Sequence, residues 1–145
     1  IRKKTSRQAA AAAGKIVLRE AKALVRVGET GLLEKSLGTK IKIYKGAAVA
    51  IVGPRTGFKT TGKGKSSKRV ITKLGEEFKA AEVNPIKYAH LVELGTKAHA
   101  YKKRGGEHPG AKPYPFLRPA LENNRAKIME VMADIFRAAL GETGP

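Results

Sequence analysis

Residues 39–52 read TKIKIYKGAAVAIV, and this stretch decides the fold. Thr39 to Tyr44 alternates Ile41 and Ile43 with Lys40 and Lys42, the period-2 pattern of a strand with one face buried. Lys45-Gly46 predicts a turn, and Ala47 to Val52 a second strand stopped by Gly53-Pro54. A hairpin alone is marginal in water, so its apolar face needs cover from elsewhere in the chain. Helical patterns on both sides supply that cover. Upstream, residues 5–27 read as a helix: Ala9 to Ala13 has the highest helix propensity available. Ala13, Ile16, Val17, Ala21, Leu24 and Val25 then recur at helical spacing, beside a basic stripe of Lys15, Arg19, Lys22 and Arg26. Gly28 ends this helix, and a short turn with Thr30 as its N-cap leads to Ser36. Downstream, Asn84-Pro85 opens a second helix (84–95) that Gly95 stops. A Gly, Lys and His-rich loop (97–112) and an extended Pro113-Tyr114-Pro115-Phe116 follow. Pro119 starts a last helix (119–140), with Leu121, Ile128, Val131, Met132, Ile135, Phe136 and Ala139 as its buried face and Gly141 as its end. The predicted class is α+β: one domain, 1–145, in which a small antiparallel sheet (39–52) is packed by long N- and C-terminal helices.

The core is thin. Ile, Leu, Val and Phe make up 33 of 145 residues, and alanine accounts for 21 more. Thirty Lys and Arg against twelve Asp and Glu leave a net charge of +18, which a free compact monomer holds against its own repulsion. The excess is concentrated. Lys35 to Gly75 holds eleven basic residues and no acid, and within it residues 54–69 carry TGFKTTGKGKSSKR from Thr56 onward. That composition predicts a flexible basic loop, with Arg55, Lys59, Lys63, Lys65, Lys68 and Arg69 as candidate contacts to DNA or an acidic partner. The chain has no cysteine, which removes disulfide scaffolds, thiolate zinc sites and thiol catalysis. No apolar run approaches the length of a membrane span. The chain begins at Ile1 and not at Met, so a short preceding piece is expected.

Catalytic patterns fail on inspection. A phosphate loop needs Gly, four residues, Gly, Lys, then Ser or Thr. Gly57 to Lys63 meets the first part, but Gly64 stands where the hydroxyl belongs; Gly64-Lys65-Ser66 meets the end, but Lys59 stands where the first glycine belongs. His90, His99 and His108 are spaced by nine and nine, which no metal motif uses. Glu76 and Glu77 lie between Lys73 and Lys79 and face solvent on a helix, and no serine sits in a Gly-x-Ser-x-Gly elbow. The reading is therefore a non-enzyme without cofactor or metal. Phe58 and Tyr101 alone could stack on bases, so any nucleic-acid contact read from these residues is to phosphate and non-specific.

Two passages carry a family resemblance: Tyr88-Ala89-His90-Leu91-Val92-Glu93-Leu94-Gly95-Thr96, and Pro113-Tyr114-Pro115-Phe116-Leu117-Arg118-Pro119-Ala120-Leu121. In this order, after a long helix, a Thr-Gly-Leu-Leu turn (from Thr30), a lysine-rich strand and Val-Gly-Pro-Arg (Val52 to Arg55), the chain resembles the neck and tail-completion proteins of long-tailed, siphovirus-type bacteriophages. The two loops, after Arg55 and from Lys97 to Lys112, look like expansions of that pattern.

The resemblance implies a virion structural protein, assembled in the host cytoplasm. It would form a ring, hexameric as tail-tube rings are, at the head–tail junction, as a neck protein or a tail terminator. Its partners would be copies of itself, the neighbouring neck, connector or tail-tube proteins, and genomic DNA in the lumen; a membrane is not among them. The motif residues Tyr88, Glu93, Gly95, Phe116, Arg118 and Pro119 would form the scaffold. Gly95 would take a left-handed turn, Pro119 the first helical turn, Phe116 a buried site, and Glu93 and Arg118 a charge-assisted pair. The residues taken without the resemblance fit a free-standing basic protein that binds nucleic acid through phosphates.

Overall fold

The computed structural model describes residues 2–27, 31–55, 58–61, 68–71, 85–100 and 105–141. The elements run α1 (Arg2–Leu24), α2 (Leu32–Ser36), β1 (Leu37–Tyr44), β2 (Ala47–Pro54), β3 (Phe58–Thr61), β4 (Lys68–Ile71), α3 (Pro85–Leu94), β5 (His99–Ala100), β6 (Glu107–His108), α4 (Leu117–Glu122) and α5 (Arg125–Leu140). The class is α+β, with two-stranded sheets β1-β2, β3-β4 and β5-β6 and helices at both ends. The contacts divide the chain into two compact units. One holds Ile1–Leu24, Leu37–Gly53 and Phe116–Pro145; the other holds Val25–Ser36 and Pro54–Pro115.

In the first unit α1 packs on α4, α5 and β1. Its buried stripe of Ala9, Val17 and Ala21 is small-sided, so neighbours come close. Gly14 sits at the tightest point: a β-carbon there would lie 2.6 Å from the Thr39 methyl and 3.1 Å from the Ala50 β-carbon. The Thr39 hydroxyl donates to the Gly14 carbonyl across the same contact, at 3.3 Å. The β1-β2 hairpin closes through Lys45 (φ 46°) and Gly46 (φ 87°). Two successive positive φ angles are the mark of the type I′ turn, whose twist matches the strands it joins. Along β2, Ala48, Ala50 and Val52 are half-buried while Val49 and Ile51 are exposed, so the strand alternates in burial with its smaller side chains mostly on the covered side.

The C-terminal helix is in two pieces, against the single helix 119–140 that its periodicity predicts. Asn124 breaks it, at φ −107° and ψ 8°. Its side-chain amide donates to the Ala120 carbonyl at 3.0 Å, while its own carbonyl accepts from Ile128 N–H at 2.9 Å. One residue thus ends α4 and begins α5, the local competition with backbone bonding for which asparagine is suited. Pro119 lies in the first turn of α4, whose N–H groups have no intrahelical acceptor. Gly141 closes α5 in the left-handed region, at φ 78°.

In the second unit α2 buries Leu32 and Leu33 and packs on α3. Ser36 Oγ donates to the Leu33 carbonyl at 2.7 Å, and the Ser36 carbonyl accepts from Arg55 N–H at 2.8 Å. The basic stretch 54–69, expected as a loop, holds antiparallel strands where it is described: Phe58 pairs with Ile71, Lys59 with Val70, Thr60 with Arg69 and Thr61 with Lys68. Phe58, Thr60 and Thr61 on β3 and Val70 and Ile71 on β4 are of the residue types that favour strands, and they suffice despite the Lys and Arg among them. Pro85 opens α3; the expected caps Asn84 and Thr30, and Gly28, lie outside the described residues.

Candidate functional site

The turn after α3 organises the second unit. Gly95 takes φ 71°, the left-handed end of a helix. A β-carbon on it would stand 2.5 Å from the Ala111 carbonyl oxygen and 2.8 Å from Pro113 N. Directly after it, Thr96 and Ala111 exchange both backbone hydrogen bonds, at 2.9 and 3.0 Å. The same register continues to His99 opposite His108 and Ala100 opposite Glu107, so residues 96–100 pair with residues 107–111 in one antiparallel ladder. Gly110 also has positive φ (82°), and a side chain there would strike the Thr96 carbonyl. Tyr114 N–H then donates to the Val92 carbonyl at 2.8 Å, tying the segment that follows Ala111 back to α3.

This arrangement encloses a groove of about 540 Å³, walled by Leu32, Leu33, Tyr88, Leu91, Val92 and Tyr114. Arg26, Thr96, His99, His108, Ala111 and Lys112 complete the lining, and no acidic residue is among the described ones. The Arg26 guanidinium lies 4.9 Å from the centre of the Tyr114 ring. The two imidazoles stack with centroids 5.0 Å apart and planes 16° from parallel. Gly110 N–H donates to His108 Nδ1 at 3.0 Å, which places the proton of a neutral ring on Nε2. His99 Nδ1 faces the Lys97 carbonyl at 3.1 Å, which calls for the opposite tautomer. Burial pushes the Tyr88 phenol above its ordinary pKa, because the phenolate is harder to desolvate than the phenol. Thr96 Oγ1 is buried with no hydrogen-bond partner among the described residues. Chemically this is a binding concavity for apolar groups. No cluster of three metal-ligating side chains occurs among the described residues.

The candidate residues fall in different places. Arg55 is exposed just after β2; Lys59 lies on β3 and Lys68 and Arg69 on β4, while Lys63 and Lys65 lie outside the described residues. Pairing of β3 with β4 sets Lys59, Lys68 and Arg69 on one hairpin. Tyr88, Glu93 and Gly95 belong to α3 and its terminal turn. Phe116 is wholly buried, at 0% exposure. Arg118 Nε donates to Glu122 at 2.8 Å on the surface of α4, and this hydrogen bond holds the guanidinium pKa above its usual value. The groove itself is absent from the sequence reading. Its one local signal is the row Tyr88, Leu91, Val92 at helical spacing, and its other walls come from residues as distant as Arg26 and Tyr114.

The profile of the HK97-gp10-like family, described as a proposed tail component of bacteriophage HK97-gp10 type, matches residues 2–95. The chain belongs to the HK97-gp10-like family. Membership assigns it a bacteriophage structural role, in line with the resemblance carried by the Tyr88–Thr96 passage. The match runs from α1 to the Gly95 turn, and the Pro113–Leu121 passage lies beyond it. No curated protein and no solved structure matches the chain. No helix among the described residues is long and apolar enough to cross a membrane.

Proposed function

We propose that this HK97-gp10-like chain forms a closed ring in the virion, at the junction of phage head and tail, as a neck, tail-completion or tail-terminator protein. The ring is hexameric, built from copies of the chain and stacked against connector or tail-tube proteins. The observation that carries assembly is the amount of apolar side chain left uncovered. Met129 is 65% and Leu140 74% exposed on α5, with Phe136 beside them; Leu94 is 74% exposed at the end of α3, and Val49 and Ile51 are exposed on β2. Large uncovered apolar side chains on several elements are what a subunit shows when neighbours complete its surface. A ring satisfies them through a heterologous contact, in which each copy presents one surface and receives another.

The basic segment (Arg55, Lys59, Lys63, Lys65, Lys68 and Arg69) faces either the DNA end in the lumen or an acidic adjacent ring. A second reading, a free-standing nucleic-acid-binding protein, is favoured by the net charge of +18. Mixing the purified protein with isolated tail tubes and connectors separates the two. Rings that co-sediment with tubes or connectors support the junction role. A protein that stays monomeric, ignores them, and binds DNA with a steep salt dependence supports the second reading.

A further inference from the structure

The exposed face of α1 has no part in either proposal above. At 3.6 residues per turn, Lys4, Lys15, Arg19 and Lys22 fall within an arc of about 60°, and at 1.5 Å per residue they extend over about 27 Å. Lys4, Lys15 and Arg19 are exposed and Lys22 partly so. The buried stripe of Ala9, Val17 and Ala21 lies on the opposite side. None of the four cations is in an ion pair among the described residues.

A merely solvated face has a different composition, and α5 provides the comparison within the same protein. There Arg125, Lys127 and Arg137 are mixed with Glu130 and Asp134, and Asp134 binds Arg137 at 2.8 Å. Helix α1 has seven basic residues and one acid, Glu20, which sits about 130° around the helix from the centre of the stripe. The stripe also lacks large apolar side chains: between Lys4 and Lys15 its arc and edges hold Gln8, Ala11 and Ala12. Protein interfaces need apolar anchors and are depleted in lysine. A linear, single-sign, anchor-free row fits a line of negative charge instead. Duplex DNA presents about one charge per 1.7 Å of its axis, so every cation on the row finds a phosphate within reach without any register being set.

We infer that the Lys4–Lys22 face of α1 is a sequence-independent seat for the phosphate backbone of duplex DNA. The anionic chemistry follows from the stripe itself; the duplex as its occupant rests on the junction reading. The test uses the full-length protein and a random-sequence duplex oligonucleotide, with affinity measured by anisotropy across a salt series. The triple variant Lys15→Gln, Arg19→Gln, Lys22→Gln is compared with the charge-matched Lys40→Gln, Lys42→Gln, Lys127→Gln, after circular dichroism establishes that both fold. Each lost phosphate contact lowers the slope of log affinity against log salt by about 0.9. The stripe variant is expected to lose about 2.7 from that slope, and the control less than about 1. Equal losses in the two variants, an unchanged slope in the stripe variant, or tighter binding of polyglutamate than of the duplex by the wild type would each overturn the inference. Oligomeric state is measured on the same samples. A wild type that forms no ring but shows the stripe-dependent slope sinks the junction role and leaves the DNA seat standing. A ring that forms while the slope ignores the stripe does the reverse.

Discussion

Replacing Gly95 with alanine probes the turn on which the second unit is built. Two costs can be separated. The first is conformational: at φ 71° a β-carbon meets its own backbone, at about 1–2 kcal/mol. The second is steric: the new carbon would stand 2.5 Å from the Ala111 oxygen and 2.8 Å from Pro113 N. Both atoms are backbone, so no rotamer relieves the overlap, and forced repacking of this kind costs about 1–3 kcal/mol. Relief requires moving the segment that exchanges two hydrogen bonds with Thr96. Gly105 isolates the first cost, since it has φ 63° and open space where its β-carbon would go. Gly95→Ala is therefore expected to destabilise by about 3 kcal/mol and Gly105→Ala by about 1 kcal/mol. Urea unfolding followed by circular dichroism and tyrosine fluorescence reads both; the chain has no tryptophan. Losses equal within about 0.5 kcal/mol would refute the close approach of the Gly95 turn to the Ala111–Pro113 segment.

Three further substitutions test separate contacts. Lys45→Asn places in the type I′ turn a residue that tolerates positive φ, and should raise stability by about 0.5–1 kcal/mol in thermal melts; a loss would mean the turn is of another type. Gly14→Ala gains about 1 kcal/mol of helix propensity but collides with the Thr39 methyl, so it should destabilise alone and cost less when combined with Thr39→Ser, the 3.1 Å approach to the Ala50 β-carbon remaining. Additive effects in that double-mutant cycle would dismiss the collision. Thr96→Val removes the unpartnered hydroxyl with little change of shape and should raise the urea midpoint by an amount equivalent to about 1 kcal/mol, whereas a lower midpoint would show that Oγ1 has a partner in solution.

The legible parts of the fold are those where pattern and packing agree. Period 2 in Thr39–Tyr44, the Lys45-Gly46 pair and the apolar run Ala47–Val52 locate the hairpin, and the Ala, Val spacing of α1 locates its buried side. Asn123-Asn124 was hidden because the apolar positions before and after it keep helical spacing, so periodicity alone continues the helix through the break. Strand β3 was hidden by composition: Phe58, Thr60 and Thr61 carry less weight than the Lys, Gly and Ser around them. The last helix shows a different limit. Ile128 is buried, but Leu121 and Phe136 from the same expected face are exposed, because periodicity tells which residues are apolar and not which have a neighbour to cover them. The groove was illegible for the reason most sites are, since its walls meet only after folding.

The role of the Arg55–Arg69 segment is open to a direct genetic check. With Lys63, Lys65, Lys68 and Arg69 changed to serine, fewer intact virions with retained DNA are expected; normal yields would end the proposal that this segment contacts DNA or an acidic ring.

The central claim is that the chain is a ring-forming subunit at the head–tail junction. A cryo-electron microscopy reconstruction of the particle tests it most directly. The account predicts a closed ring of six copies between connector and tail tube, with the apolar faces of α5 and β2 covered by neighbours. Absence of the chain from that junction, or its presence there as single copies, would contradict it.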